Sequence, residues 1–167
     1  MAEPHTSSYY AATRNRDTDF PALADSIDTE VCIVGGGFTG VATALTLAER
    51  GHRAVVLEQN RIGWGASGLN GGQVIGGFCG QELILRRLGE DAADQVWDIG
   101  WRGNEIIRER VAKYSIDCDL KWGYMDVAIK PRHMKYLRAY HQELLKRGFG
   151  DDVRLVEQID MRSCIGS

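Results

Sequence analysis

Two apolar runs flank an amphipathic segment in the first half of the chain. Val31–Val34 is wholly apolar and rich in β-branched residues, which is typical of a strand buried in a parallel sheet. Residues 38–50 carry apolar side chains at helical spacing, and the predicted sheet-facing stripe is Val41, Ala44, Leu45 and Ala48. Gly51 can end this helix in a left-handed conformation before a second apolar strand, Ala54–Leu57. The pattern predicts a right-handed βαβ unit.

The remaining residues predict further helices and short strands, so the fold class is α/β. Residues 1–28 are polar and aperiodic, and we interpret them as an extended N-terminal arm. Helices are expected over 81–88, 90–114 and 131–147, the last with Pro131 in its first turn and Gly148 after its end. Strands are expected over 119–129, broken at Gly123, and over 153–156. The buried faces of the two longer helices are predicted to be Ala93, Val96, Trp97, Gly100, Asn104, Ile107 and Val111 in the first, and Met134, Leu137, His141 and Leu144 in the second.

Composition and charge narrow the classes of function. The net charge of −3 offers no basic footprint for nucleic acid. The cysteines are widely spaced without a CxxC pair, so neither a zinc site nor a redox dithiol is predicted. No run approaches the ~18 apolar residues of a membrane span. The N-terminus lacks the apolar core of a secretory signal, so a cytoplasmic location is expected.

A dinucleotide-binding motif lies where the first strand meets the helix. Gly35-Gly36-Gly37-Phe38-Thr39-Gly40 matches G-x-G-x-x-G and stands between an apolar strand and an amphipathic helix. Gly35 permits the sharp turn, Gly37 leaves room for a pyrophosphate, and Gly40 lets the helix pack closely on the sheet. The unpaired N–H groups and the positive end of the helix dipole would hold the phosphates.

Glu58 ends the second strand, where a carboxylate can accept hydrogen bonds from both ribose hydroxyls. The same charge would repel a 2′-phosphate, which argues against NADP. A second glycine-rich segment follows at once and reads RIGWGASGLNGGQV over 61–74. Its backbone could lie against an extended or flat ligand, which favours FAD over NAD, although an NAD-dependent dehydrogenase domain remains an alternative.

The two motifs together resemble a known family. VCIVGGGFTGVATALTLAERGHRAVVLE followed by RIGWGASGLNGGQV is similar to the N-terminal part of FAD-dependent amine and amino-acid oxidoreductases of the D-amino-acid oxidase type. Within that family the chain resembles the gamma-glutamylputrescine oxidoreductase-like branch. The segments SSYYAAT near the start and CDLKWGY at 118–124 also fit that branch.

The resemblance implies a cofactor, FAD, and a set of residues that bind it. The pyrophosphate would be held by Gly35, Gly37, Phe38, Thr39 and Gly40. Glu58 would bind the adenosine ribose, with Gln59 and Arg61 beside it. The ribityl chain and flavin ring would lie along Ala66, Ser67, Asn70, Gly71 and Gly72. Because residues 59–78 contain no histidine, covalent attachment of the flavin in this loop is not expected.

The resemblance also implies a reaction and a domain organisation. Members oxidise a C–N bond of a small amine or amino acid to an imine, and dioxygen commonly reoxidises the flavin. Relatives are roughly two and a half times as long, so the chain is expected to be an N-terminal fragment of a two-domain flavoprotein. Residues 29–80 would be the FAD-binding unit and 81–167 would begin the substrate-side domain. No catalytic residue is assigned.

Three further interpretations stay open. Trp97 and Trp101 are spaced to pack in a core or to dock the rest of a larger protein. Trp122 and Tyr124 could line an amine pocket by cation–π contact or pack in a sheet. A non-catalytic module that self-associates through open strand edges is the third.

Overall fold

The βαβ unit forms as the hydrophobic pattern predicts. The computed structural model describes residues 5–16 and 20–165. Strand β1, Val31–Val34, pairs in parallel with β2, Ala54–Leu57, and the register aligns Val31 with Ala54 and Val34 with Leu57. Helix α2, Phe38–Glu49, connects the two strands and contacts both of them. Helix α1, Tyr9–Ala12, precedes the unit.

The chain divides into two compact units, Met1–Leu120 and Lys121–Ser167. After β2 the first unit contains α3, Gln81–Leu88, and α4, Ala93–Lys113, with short 3-10 turns at Ala66–Gly68 and Glu90–Ala92. The second unit contains α5, His133–Lys146, a 3-10 turn at Gln158–Asp160 and α6, Met161–Ile165. No helix within 5–16 or 20–165 is both long and apolar enough to cross a bilayer.

Three helices end in the same hydrogen-bonded motif. After α2, the N–H of Gly51 donates to Ala48 O and the N–H of His52 donates to Leu47 O, both at 3.0 Å. These are the two bonds of a Schellman cap, and Gly51 supplies its left-handed residue at φ 83°. The ends of α4 and α5 repeat the two bonds around Ser115 and Gly148. The predicted roles of Gly51 and Gly148 are therefore confirmed.

The predicted strands over 119–129 and 153–156 are wrong. In the part of the chain that the structure describes, the sheet consists of β1 and β2 alone. A strand needs a neighbour for its ladder hydrogen bonds, and neither segment has one within these residues. The hydrophobic pattern of a segment predicts an extended apolar run, but it does not show whether a second strand lies beside that run to pair with it.

Smaller departures concern helix boundaries and the arm. Helix α4 begins after a 3-10 turn, and α5 begins beyond Pro131. The arm, predicted to lack regular structure, includes α1, whose first turn is capped because Ala11 N–H donates to Ser8 Oγ at 3.1 Å.

The sheet-facing stripe of α2 is only partly covered. Ala44 and Leu45 are half-buried, whereas Val41 and Ala48 are exposed. Two strands about 4.8 Å apart are narrower than a helix about 10 Å across, so a two-stranded sheet leaves part of that stripe open. The buried faces of α4 and α5 agree better with the pattern, since Val96 and Leu144 are 6% and 7% exposed, but Ile107 is exposed and was wrongly placed on the buried face of α4.

A cluster of side chains joins the C-terminal ends of α2 and α4. Glu49 accepts from Arg110 Nη2 at 3.0 Å, from Lys113 Nζ at 2.9 Å and from the Tyr114 hydroxyl at 2.8 Å. Arg110 Nη2 also donates to Thr46 Oγ1 at 2.8 Å. A carboxylate at a helix C-terminus is unfavourable by itself because it lies at the negative end of the dipole. The donors on α4 offset that effect, and they lower the pKa of Glu49 to about 2, with Lys113 as the largest cause.

We therefore expect the contribution of Glu49 to stability to depend on pH. Its folded-state pKa lies below its usual value of 4.5, so the contribution is complete above that value and is lost as the pH falls towards 2. Urea unfolding should show Glu49→Gln less stable than the parent chain at pH 7, with the difference shrinking at pH 3. Glu105→Gln is the control, because Glu105 pairs with Arg102 inside α4 alone. A difference that stays constant with pH would contradict the expectation.

Candidate dinucleotide site

The turn from β1 into α2 brings backbone N–H groups to one end of the sheet. Gly35 N–H donates to Leu57 O at 2.8 Å, and the chain then reverses at Gly35 with φ 104°. A side chain on Gly40 would overlap the Gly35 carbonyl oxygen, so the first turn of α2 lies directly against the end of β1. This is the close helix–strand approach expected of the last glycine in the motif.

Helix α2 begins with N–H groups available to a ligand. Gly37 is its N-cap and makes no side-chain capping bond. Phe38 N–H donates to Ser67 Oγ at 3.0 Å. The N–H groups of Thr39 and Gly40 donate to no atom of residues 5–16 or 20–165. The first N–H groups of a helix lack intrahelical acceptors, so these are ready to bind an anion.

Glu58 follows directly after β2, as predicted, and it is held beside the helix start by main-chain donors. Gly36 N–H donates to its Oε2 at 2.6 Å, and Asn60 N–H donates to its Oε1 at 2.9 Å. These bonds, that from Asn60 first, lower the pKa of Glu58. The carboxylate is thus fixed and ionised near neutral pH, and each oxygen keeps a lone pair for a further donor such as a ribose hydroxyl.

The second glycine-rich segment folds back onto the first motif. Gly63 N–H donates to Gly36 O at 2.9 Å, and a side chain on Gly36 would meet Ile62. A side chain on Gly37 would lie 2.9 Å from Ser67 Oγ, so Ser67 reaches Phe38 only because residue 37 is glycine. The two motifs therefore form one continuous surface at the end of the sheet.

Asn70 shapes the loop that follows. Its Nδ2 donates to Ser67 O at 2.7 Å, and its Oδ1 accepts from Gly72 N–H at 2.7 Å. The family resemblance implies that Asn70 lies along the ribityl chain and flavin ring, and in the structure its amide bonds within the loop itself. Of the other predicted residues, Gln59, Ala66, Gly71 and Gly72 are exposed on this segment, and Arg61 is half-buried.

The far end of the glycine-rich segment is held by α4. Gly77 N–H donates to Gly100 O at 3.1 Å, and a side chain on Gly76 would overlap the Trp101 indole. Trp97 and Trp101 lie with ring centroids 5.5 Å apart. The sequence left open whether this pair packs in a core or docks another part of a larger protein. The contact with Gly76 supports packing for Trp101. The close approach of Gly77 to Gly100 was not predicted, because the sequence of a helix does not show which segment packs against a glycine in it.

The second unit carries the predicted amine-pocket residues. Trp122 and Tyr124 are both exposed. Tyr124 lies beside Tyr140 of α5, whose pKa is raised to about 12 by burial first and then by Tyr124 and Asp126. Tyr140 is therefore a neutral phenol throughout the physiological range. A role for Trp122 and Tyr124 in binding an amine stays a prediction.

Within the described residues, no cluster of histidine, cysteine or acidic side chains could hold a metal ion. The site is instead built from main-chain N–H groups, a fixed carboxylate and a glycine cradle without side chains. These groups fit the pyrophosphate and ribose of a dinucleotide. The fold and site thus define a dinucleotide-binding protein.

Comparison with known proteins identifies the family. Residues 30–164 match the family described as FAD dependent oxidoreductase (DAO), and the chain belongs to that family. It is 46% identical over 145 residues to the gamma-glutamylputrescine oxidoreductase of Escherichia coli, covering 86% of this chain and 34% of that protein. It is 39% identical over 166 residues to the probable oxidoreductase OrdL of Haemophilus influenzae, covering 99% and 38% respectively. No solved structure matches the chain significantly.

Family membership confirms the resemblance and the cofactor class. Proteins of this family are oxidoreductases that bind FAD, so FAD rather than NAD is the dinucleotide that the site is expected to hold. The chain spans little more than a third of the length of these relatives. The match begins at residue 30 and therefore includes the whole βαβ unit.

The close approach at Gly40 predicts opposite effects for two glycine substitutions in helices. Gly40→Ala should lower the free energy of unfolding by about 1–3 kcal/mol, because its Cβ meets a backbone carbonyl that cannot move aside. Gly103→Ala, in α4 with no atom within 4 Å of its Cβ, should raise it by up to about 1 kcal/mol through helix propensity. Urea unfolding followed by circular dichroism measures both. Equal stabilities for the two variants would refute the proposed contact.

Proposed function

We propose that this chain is the FAD-binding part of an enzyme that oxidises the C–N bond of a small amine or amino acid to an imine. The observation that carries the proposal is the joint placement of the α2 N-terminus, Glu58 and Ser67 at one end of the sheet. The 46% identity to a gamma-glutamylputrescine oxidoreductase supports an amine as substrate. When bound, FAD supplies a two-electron acceptor, and we propose dioxygen, reduced to hydrogen peroxide, as the final oxidant.

Each group of residues has a distinct part in holding the cofactor. The N–H groups from Gly37 to Gly40 would bind the pyrophosphate, with Gly35 providing the turn that aims them. Ser67 Oγ lies where a phosphate oxygen would approach Phe38 N–H, so it would either move aside or share that position. Glu58 would accept from the ribose hydroxyls, with Gln59 and Arg61 near the adenosine. The segment with Ala66, Asn70, Gly71 and Gly72 would lie along the ribityl chain and flavin ring.

A titration of the 167-residue chain with FAD tests the proposal. FAD fluorescence should be quenched on binding, and the flavin absorption bands should shift. Glu58→Gln should weaken FAD binding by about tenfold to a hundredfold, because it removes the charge from hydrogen bonds to the ribose. Glu30→Gln is the matched control, since Glu30 is a carboxylate that pairs with His52 before the start of β1.

The outcomes separate the alternatives. Excess NAD should not displace FAD from the chain. Binding of NAD without FAD would support the dehydrogenase alternative and reject the proposal. Unchanged affinity in Glu58→Gln would show that this carboxylate does not contact the ribose.

We further propose that the chain self-associates. Large apolar side chains are exposed in both units, among them Val34 at 87% and Ile129 at 84%. Exposed apolar side chains of this size favour association between protein molecules. Sedimentation velocity should show a mass that rises with concentration. Val34→Lys and Ile129→Lys, made separately, should identify the unit responsible, and a monomer at every concentration would contradict the proposal.

A further inference from the structure

The residues before the βαβ unit lie against the glycine-rich loop, although the family match begins only at residue 30. We call residues 5–15 the strap. His5 Nε2 lies 3.4 Å from Ile62 O. The His5 ring also lies 3.7 Å from where a side chain on Gly68 would begin. The strap thus reaches the loop between β2 and α3 across more than fifty residues of sequence.

Tyr10 makes the closest of these approaches. A Cβ on Gly72 would overlap the Tyr10 hydroxyl and lie 2.8 Å from its Cζ, so the phenol rests directly on the Gly72 backbone. Gly72 itself has a left-handed φ of 63°. A larger residue at position 72 would collide with the phenol. Residues other than glycine also rarely adopt this positive φ.

Helix α1 explains how Tyr10 is aimed at the loop. Besides the Ser8 cap, its single turn is closed by Thr13 N–H and Thr13 Oγ1, both of which donate to Tyr9 O at 2.9 Å. The turn directs consecutive tyrosines differently: Tyr9 is 74% exposed and Tyr10 is 38% exposed. Their rings meet edge to face at 5.5 Å. Tyr9 therefore contacts Tyr10, whereas the three atoms nearest to the Cβ position of Gly72 all belong to Tyr10.

The other end of the strap is fixed as well. Asn15 Nδ2 donates to Asp117 O at 3.3 Å and to Asp119 Oδ2 at 3.1 Å, just after α4. The strap is therefore held at Ile62, at Gly72 and at the turn beyond α4. Because the strap contacts three separate segments of the chain, Tyr10 can move only a short distance from the loop.

The loop under the strap has little regular structure of its own. Its 3-10 turn is three residues long, and the Asn70 side chain bonds to Ala66, Ser67 and Gly72 within it. A binding segment of this kind must be ordered before or during binding, and order that exists beforehand reduces the loss of entropy. Contacts from outside the loop that hold its shape therefore raise affinity for whatever the loop binds.

We propose that Tyr10 is a positioning residue for the FAD site, acting through its contact with Gly72 to hold the loop from Ala66 to Gly72 in its binding shape. This inference rests on the proposed function of the loop. We assign the effect to the phenol ring, because its Cζ and Cε1 lie 2.8 and 3.2 Å from where a Cβ on Gly72 would be. Tyr10→Phe should therefore behave like the parent chain.

Hydrogen exchange of the FAD-free chain is the first test. Tyr10→Ala should increase deuterium uptake several-fold in residues 66–74 and leave uptake in β1, α2 and β2 unchanged. Phe20→Ala is the control, because Phe20 is a 70% exposed aromatic residue outside the strap, and it should leave both regions unchanged. Increased uptake throughout the βαβ unit would mean that Tyr10 has only a general structural role, which would overturn the proposal.

FAD binding in a double-mutant cycle is the second test. Tyr10→Ala should weaken FAD binding about tenfold, and Tyr10→Phe should restore it. Gly72→Ala should weaken binding more in the parent chain than in Tyr10→Ala, because the clash with the phenol is absent from the second background. The strain of alanine at a positive φ occurs in both backgrounds and cancels.

The two measurements distinguish failure of the inference from failure of the proposed function. If the effects of Tyr10→Ala and Gly72→Ala on FAD affinity are additive, and deuterium uptake in residues 66–74 does not change, the proposed role of Tyr10 is wrong. If the parent chain binds no FAD while Tyr10→Ala still loosens residues 66–74 selectively, the strap holds the loop but the loop does not bind FAD.

Discussion

The backbone contact between Gly40 and the Gly35 carbonyl oxygen is the constraint on which the rest of the site depends. It brings the first turn of α2 against the end of β1 without an intervening side chain. Only in that position do the N–H groups of Phe38, Thr39 and Gly40 lie beside Glu58 at the end of β2. The parallel register then fixes the distance between the two strand ends, since Val34 is aligned with Leu57. A small shift of α2 would separate the N–H groups proposed to bind phosphate from the carboxylate proposed to bind ribose.

The protein's own side chains already occupy part of this site. Ser67 Oγ accepts from Phe38 N–H, and Glu58 accepts from Gly36 and Asn60. Main-chain donors that are buried without an acceptor destabilise a fold, so these contacts satisfy groups that a ligand would otherwise satisfy. The two cases differ in their consequence. Glu58 keeps acceptor capacity for a ribose, whereas Ser67 competes for the same N–H group that a phosphate would use.

The elements that depend on local pattern were predictable from the sequence. Both strands of the βαβ unit and α3 have the predicted bounds, and Gly51 and Gly148 were located from their positions directly after predicted helices. The dinucleotide motif was recognisable because Gly35, Gly37 and Gly40 each have a geometric role, whereas the choice of FAD over NAD depended on the second glycine-rich segment and on the family resemblance. The end of α4 was predicted to within one residue, although Ser115 takes the left-handed position that glycine usually marks. The strands predicted over 119–129 and 153–156 are wrong because pairing is a property of two segments.

Contacts between distant segments account for what the sequence could not predict. Glu49 binds donors on α4, Gly77 binds Gly100, and Tyr10 rests on Gly72, and none of these pairs has a spacing that reveals it. Two of these contacts involve glycines of the glycine-rich segment between β2 and α3, namely Gly72 and Gly77. Those glycines would be interpreted as flexible from sequence, yet in the structure their missing side chains are what permit α4 and the strap to approach. A glycine-rich loop can therefore be contacted and ordered by neighbours that are far from it in the chain, here Tyr10 and helix α4.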